Sequence, residues 1–211
     1  NEGLMREVEL IVPPGVLSPE FPADPASCPA VAGGNVETSQ RIVDVLLTAL
    51  DLVACSQGTM NNLIFGGEDF SYYETIGGGT GAGPGFAGCD AVHRHMTNTA
   101  ITDPEVLERR LPVRVEKFAI RRDSGGQGEY RGGEGVRREL RFLGSVAVSL
   151  LTQRRAKGPP GRAPGEAGAP GDQWIERADG AIVALDAITQ VALEADDLLV
   201  IETPGGGGWS A

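Results

Sequence analysis

Seven of the twelve residues from position 77 to 88 are glycine, and four more run consecutively at 205–208. Two further clusters follow the same habit: GGQGEYRGGEG at 125–135, and GPPGRAPGEAGAPGD at 158–172, where nine of fifteen residues are Gly or Pro. Glycine in a helix interior costs about 1 kcal/mol relative to Ala, so helices do not run through these stretches. Glycine serves instead where the backbone turns tightly or approaches another backbone closely. With 31 Gly in 211 residues the chain cannot be mainly helical.

Between the clusters the apolar pattern is readable. Residues 6–12 (REVELIV) predict a strand stopped by Pro13 and Pro14, and 16–34 an extended loop. Ile42, Val43, Leu46, Leu47, Leu50 and Val53 recur at three and four residues, predicting a helix whose apolar face is buried. Asn35 or Thr38 is expected to cap it. A second helix is predicted at about 103–110, with Thr102 as cap, Pro104 at its first position and Pro112 beyond its end. A turn leading into a short strand is expected at 56–67, and another strand at 70–76. PVRVEKFAIRR then alternates with a slip near Lys117 that predicts a bulge. RRELRFL and VAVSLLTQRR give two strands, Asp179-Gly180 a hairpin turn, and ITQVALEADDLLVIETP two more strands. The expected fold is α+β. A mixed segment at 1–111 carries one long amphipathic helix, and an antiparallel β-rich, sandwich or barrel-like segment spans 112–211.

Charge is uneven. Residues 1–93 carry net −10, residues 94–162 net +7 and residues 163–211 net −8, giving −11 overall. That balance excludes a general nucleic-acid binder. Of the 18 basic residues 16 are Arg, the side chain that suits ion pairs with carboxylates, so the middle stretch fits an interface with an acidic surface. No apolar run approaches the roughly 18 residues of a membrane span. Three Cys without CxxC spacing speak against a disulfide framework and fit a reducing, cytoplasmic setting. The chain starts at Asn1 and reads at once as mid-protein sequence, so a fragment or processed chain is expected.

The residues that could carry chemistry are few. His93 and His95 flank Arg94; on a strand this HxH would put both imidazoles on one face, as in a metal site, although a third ligand such as Asp90 is needed. Thr97 and Asn98 offer hydrogen bonds to a substrate amide or to a turn. Gly77, Gly78 and Gly79 could cradle an anion with backbone N–H groups, but lack the Lys of a phosphate-binding loop. The Gly125-Gly126-Gln127-Gly128 run lacks it too, so nucleotide binding by this chain alone is not expected. Cys55 and Cys89 read better as small hydrophobes than as nucleophiles.

Six blocks, in order along nearly the whole chain, are GGNVETSQRIVDVLL, SQGTMNNLIFGG, YYETIGGGTGAGP, HMTNTAITDPEVLE, PVRVEKFAIRRDSGGQGEYRGGEG and IETPGGGG. Together they resemble the C-terminal part of the hydantoinase B/5-oxoprolinase family. The resemblance implies ATP-dependent opening of a cyclic amide such as 5-oxoproline or hydantoin. ATP and Mg would be bound by an A-type partner subunit, and a divalent metal by a part preceding Asn1. No ligand set for it is expected here beyond the weak pair His93 and His95. It implies catalytic roles for His95, Thr97, Asn98 and Glu74, and substrate or loop-fixing roles for Gly77 to Gly79, Asp123, Arg131 and Arg154. Arg94 and Ala100 depart from the pattern expected around HMTNT, and the 158–172 loop keeps only the Pro/Gly character. Two alternatives stand beside this reading: an acetone carboxylase-like subunit, which would need bicarbonate, and a non-catalytic module that docks the ATP-binding subunit.

Overall fold

The structure, a computed structural model, describes residues 6–15, 17–28, 34–97, 99–162 and 164–210. The chain divides into two units, residues 1–32 and 33–211. In the first, the strand expected at 6–12 does not form: 6–7 turn, and Val8, Leu10, Ile11 and Val12 are exposed with no ladder among the described residues. Alternation favours an extended chain, but a strand also requires a partner. Its regular element is a 3₁₀ turn at Pro25–Ser27, where the Asp24 carboxylate accepts from the Ala26 N–H.

The second unit is built on two antiparallel sheets. The strands are β1 (Asn62–Gly66), β2 (Ser71–Glu74), β3 (Val113–Arg121), β4 (Gly135–Phe142), β5 (Val146–Leu151), β6 (Asp172–Glu176), β7 (Ile182–Ala184), β8 (Ile188–Leu193) and β9 (Leu198–Glu202). One sheet has the order β2-β1-β5-β8 and the other β3-β4-β9-β6-β7. The fold is α+β with few helices, as the glycine content requires. Because β1 pairs with β5, the expected boundary at 111/112 runs through a shared sheet. The slip in β3 is a register shift between Val115 and Lys117, and Gly180 takes φ 88° at the β6–β7 hairpin.

Period-two burial builds the core. Val136, Leu140 and Phe142 of β4 and Leu199 and Ile201 of β9 meet Leu63 and Phe65 of β1 and Val146, Val148 and Leu150 of β5 in one cluster. The Phe65 and Phe142 rings, from different sheets, stand edge to face at 5.2 Å. Helix α2 (Pro104–Arg110) adds Leu107; Asp103, rather than Thr102, caps it by accepting from the Glu105 and Val106 N–H groups.

The glycine clusters form a packed layer outside both sheets. Their backbones hydrogen-bond to one another: Gly206 N–H to the Gly133 carbonyl, Gly133 N–H to Thr80, Gly126 N–H to Gly206 and Gly207 N–H to Cys55. A Cβ on Gly79 would overlap the Gly133 carbonyl oxygen, and one on Gly206 that of Thr80. Residues 205–208 are buried.

Helix α1 (Ser39–Ala49), entered through a wider π turn at Gly34–Thr38, is reversed with respect to expectation. Ile42, Leu46 and Leu50 are exposed, at 42%, 56% and 67%, while Glu37, Gln40 and Asp44 are buried. The apolar residues cover one broad side of this helix and the polar ones, with Gln40, Arg41 and Asp44, the other. The polar stripe is the face that finds partners inside, and so it turns inward.

Candidate functional site

The inward stripe of α1 lies over the segment 55–62 that leads into β1. Asp44 Oδ1 accepts the Ser56 N–H at 3.0 Å and lies 2.9 Å from His95 Nε2. Gln40 Nε2 donates to Thr97 Oγ1. Glu37 Oε1 accepts from Thr59 Oγ1, the Met60 N–H and Asn62 Nδ2, at 3.1, 3.0 and 2.8 Å. Burial raises the Glu37 pKa, opposed by these donors. Both Arg155 terminal nitrogens donate to Asn61 Oδ1 at 3.1 Å. Burial pushes the Arg155 guanidinium down to about 10, against the pull of Glu37.

Several polar atoms in this patch are buried with no hydrogen-bond partner among the described residues: Glu37 Oε2, Arg41 Nη1, Asp44 Oδ2 and Arg154 Nε. Folded chains satisfy most such atoms, so a group of orphans in one place marks a site of function or strain. The backbone shows the same concentration. His95, Asn61 and Arg154 all hold positive φ, at 59°, 46° and 59°, and Gly58 holds 65°. Such conformations cost energy in non-glycine residues and gather at functional sites.

The side chains singled out from the sequence divide into groups. His95 and Thr97 come together on the inward face of α1, and Arg154 is tied to the same patch through its electrostatic coupling to Arg41 and Asp44. Asn98 lies outside the described residues. Glu74 is held by Arg138 in a fully buried pair, Nε to Oε1 at 2.6 Å and Nη2 to Oε2 at 3.1 Å, and also accepts from the Tyr72 hydroxyl. Arg138 in turn stacks over Phe118. The Gly78 and Gly79 N–H groups donate to the carbonyls of Val92 and Pro204, so they are not available to cradle an anion. The Gly77 carbonyl accepts from Thr203. Arg131 joins Asp90 and Glu134, pinning the 125–135 loop, and Asp123 is exposed at a left-handed turn (φ 63°).

His93 and His95 do not lie on a strand. The chain turns at 95–96, and His93 is half-buried with Nδ1 unpaired. Among the described residues no three His, Cys, Asp or Glu side chains converge as metal ligands. Burial pushes the Cys55 thiol up, which leaves it a poor nucleophile.

Glu37, Gln40, Arg41, Asp44, Gly58, Asn61 and Arg155 were not among the residues expected at a site. Their signal was present as the spacing 37, 40, 41, 44, a polar stripe on a helix read by its apolar one.

His95 is held by one ring nitrogen against a carboxylate. If Nε2 carries the proton toward Asp44, Nδ1 bears the lone pair and can take a proton from water. The arrangement therefore sets a histidine held by a carboxylate beside buried polar atoms that have no hydrogen-bond partner among the described residues.

The Hydantoinase B/oxoprolinase family model matches residues 1–211. The 5-oxoprolinase of Dictyostelium discoideum is 46% identical over 99% of this chain, and 5-oxoprolinase 1 of Arabidopsis thaliana is 47% identical over all of it. The chain spans 16% of the length of each. The ATP-dependent caprolactamase of Pseudomonas jessenii shares the fold, with a TM-score of 0.61 at 23% identity over 78% of this chain and 31% of that one. This chain belongs to the hydantoinase B/oxoprolinase family.

Proposed function

We propose that residues 1–211 form part of an ATP-dependent cyclic amide hydrolase of the 5-oxoprolinase type. The observation that carries the reading is the family match along the whole chain, with relatives named 5-oxoprolinase at nearly half identity. In this reading ATP and Mg are held by an ATP-binding part, either an A-type subunit or another segment of the same polypeptide, and a divalent metal by residues outside 1–211. ATP transfers its terminal phosphoryl group to the amide oxygen and leaves as ADP; water adds to the activated carbon, the ring C–N bond breaks with a proton passing to nitrogen, and a second water hydrolyses the resulting acyl phosphate to the open-chain acid and phosphate. The patch under α1 supplies polar contacts and His95, oriented by Asp44, a proton acceptor for the first water. Among the described residues no helix is long and apolar enough to cross a membrane, and a cytoplasmic location fits the reaction.

The test is ADP release by the full-length protein with its ATP-binding part. It is offered 5-oxoproline, hydantoin, N-methylhydantoin, and acetone with bicarbonate. Stimulation by a cyclic amide is expected. Stimulation by acetone with bicarbonate alone would replace the reading with a carboxylase.

A further inference from the structure

The five-stranded sheet ends on β3, which is paired on one side only among the described residues. Its two halves are finished differently. In the first half, the carbonyl of Leu111, the C-cap of α2, accepts the Val113 N–H, and Glu108 Oε1 accepts the Val115 N–H, both at 2.8 Å. Helix α2 and its cap therefore blunt that stretch of edge. Past the bulge, from Lys117 to Ile120, no described group other than β4 hydrogen-bonds to the backbone.

The same half is uncovered on its inward face. Phe118 lies opposite Arg138 and Ile120 opposite Val136, and both of those partners are buried, so the two apolar side chains point toward the other sheet. They are nevertheless 45% and 38% exposed. The Arg138 guanidinium lies 5.1 Å from the Phe118 ring centroid. It spends Nε and Nη2 on Glu74, and its Nη1 is buried with no hydrogen-bond partner among the described residues. On the outward face and at the α2 end the free charge is positive. Lys117, Arg109 and Arg110 are exposed and make no ion pair among the described residues. The carboxylates of β3 and β4 nearby are committed, Glu116 to Arg114 and Arg141, and Glu139 to Arg137.

A lone lysine blunts an edge against pairing. It does not account for two large apolar side chains left open on the other face beside an unpaired guanidinium. A strand laid along 117–120 accounts for both faces. Its backbone pairs with the open edge, its apolar residues cover Phe118 and Ile120, and its carboxylates lie beside Lys117.

We infer that the open half of β3 receives a sixth strand, an extended segment of alternating apolar and acidic residues, from the part of the same polypeptide outside residues 1–211. Length and entropy favour that source. The chain spans 16% of its 5-oxoprolinase relatives. A tethered segment reaches the edge at the cost of closing a loop rather than that of association. The inference stands on the sheet edge and holds whichever substrate the protein takes.

The test uses the full-length protein with no separate ATP-binding subunit. Peptide-resolved hydrogen exchange reads residues 117–120. An open edge leaves alternate amides free to exchange at once, whereas a strand on each side protects them all. Protection of every amide is expected, unchanged on dilution. Carbodiimide, which joins an amine to a carboxylate in contact with it, should cross-link Lys117 to an Asp or Glu outside residues 1–211. Lys157, exposed and the other lysine of these residues, should not join that segment. Lys117→Glu, a change at an exposed side chain, should free the alternate amides of 118–120. Alternate amides that exchange freely in the wild type would overturn the added strand. Protection that fades on dilution would give the edge to a second copy, and protection that needs a separate ATP-binding subunit would give it to that subunit; either overturns the source. Full protection that survives Lys117→Glu, with no cross-link from Lys117, would overturn the acidic assignment.

Discussion

The pair Glu74–Arg138 shows how a single residue changes meaning between sequence and structure. In the sequence Glu74 is a carboxylate just ahead of a glycine run, a plausible acid or base. In the fold it is 3% exposed at its side chain and saturated by Arg138 and Tyr72. Partners 64 positions away cannot be read from local pattern, so the assignment was out of reach before the fold was known. His95 and Thr97 were legible because polar side chains clustered within one short stretch. Asp44 was not, because it sits among Val43, Val45 and Leu46. The pairing makes a stability prediction. Arg138→Met strands a buried carboxylate, and such breaks cost about 3–5 kcal/mol. Urea unfolding should show a loss of that order, and adding Glu74→Leu should restore most of it, because an apolar pair of similar volume avoids the desolvation of both charges. If Arg138→Met unfolds at the wild-type midpoint, the pair is not buried as described.

At the scale of elements, strands and turns were the legible part. Alternation survives in β4 and β5 because one face of each is packed, and period two then records the packing directly. The β3 slip was visible from the spacing of its apolar residues, although past the bulge Phe118 and Ile120 stay exposed. The glycine segments were recognisable as loops, but not as a layer, since their partners are other loops far away in sequence. Helix α1 misled because periodicity names an apolar stripe without saying which way it faces. Two glycines, one inside the layer and one outside it, give opposite predictions. Gly206→Ala would drive a methyl into the Thr80 carbonyl, a backbone collision that no rotamer relieves. It should cost about 1–3 kcal/mol, the range for overpacking. Gly144→Ala, in the β4–β5 turn, meets nothing within 4 Å and carries no positive φ. It should stabilise by about 0.4–1 kcal/mol through the unfolded chain. Thermal unfolding should therefore move down for one and up for the other; a shared direction would contradict the packing.

Over the whole molecule, six arginines of the Arg-rich middle besides the buried Arg138 are paired with carboxylates, while Arg109, Arg110, Lys117, Arg122 and Lys157 stay exposed. Arg121 and Arg137 both reach Glu202, Arg114 and Arg141 share Glu116, Arg162 joins Asp51, and Arg131 sits between Asp90 and Glu134. The acidic flanks and the basic middle, separate in sequence, neutralise one another within the fold. This narrows the electrostatic ground for docking an acidic surface to the exposed basic residues that make no ion pair among the described residues. Arg131 decides the matter. Its side chain is 42% exposed, and exposed pairs are worth about 0–1 kcal/mol. Its partner Glu134 retains the Ser124 N–H and hydroxyl and the Gly125 N–H as donors. Arg131→Ala should therefore lower stability by no more than about 1 kcal/mol and leave co-sedimentation with the ATP-binding part unchanged. If association is lost while the melting temperature holds, the guanidinium faces a partner rather than its own loop. The non-catalytic docking module would then be the better description of this region.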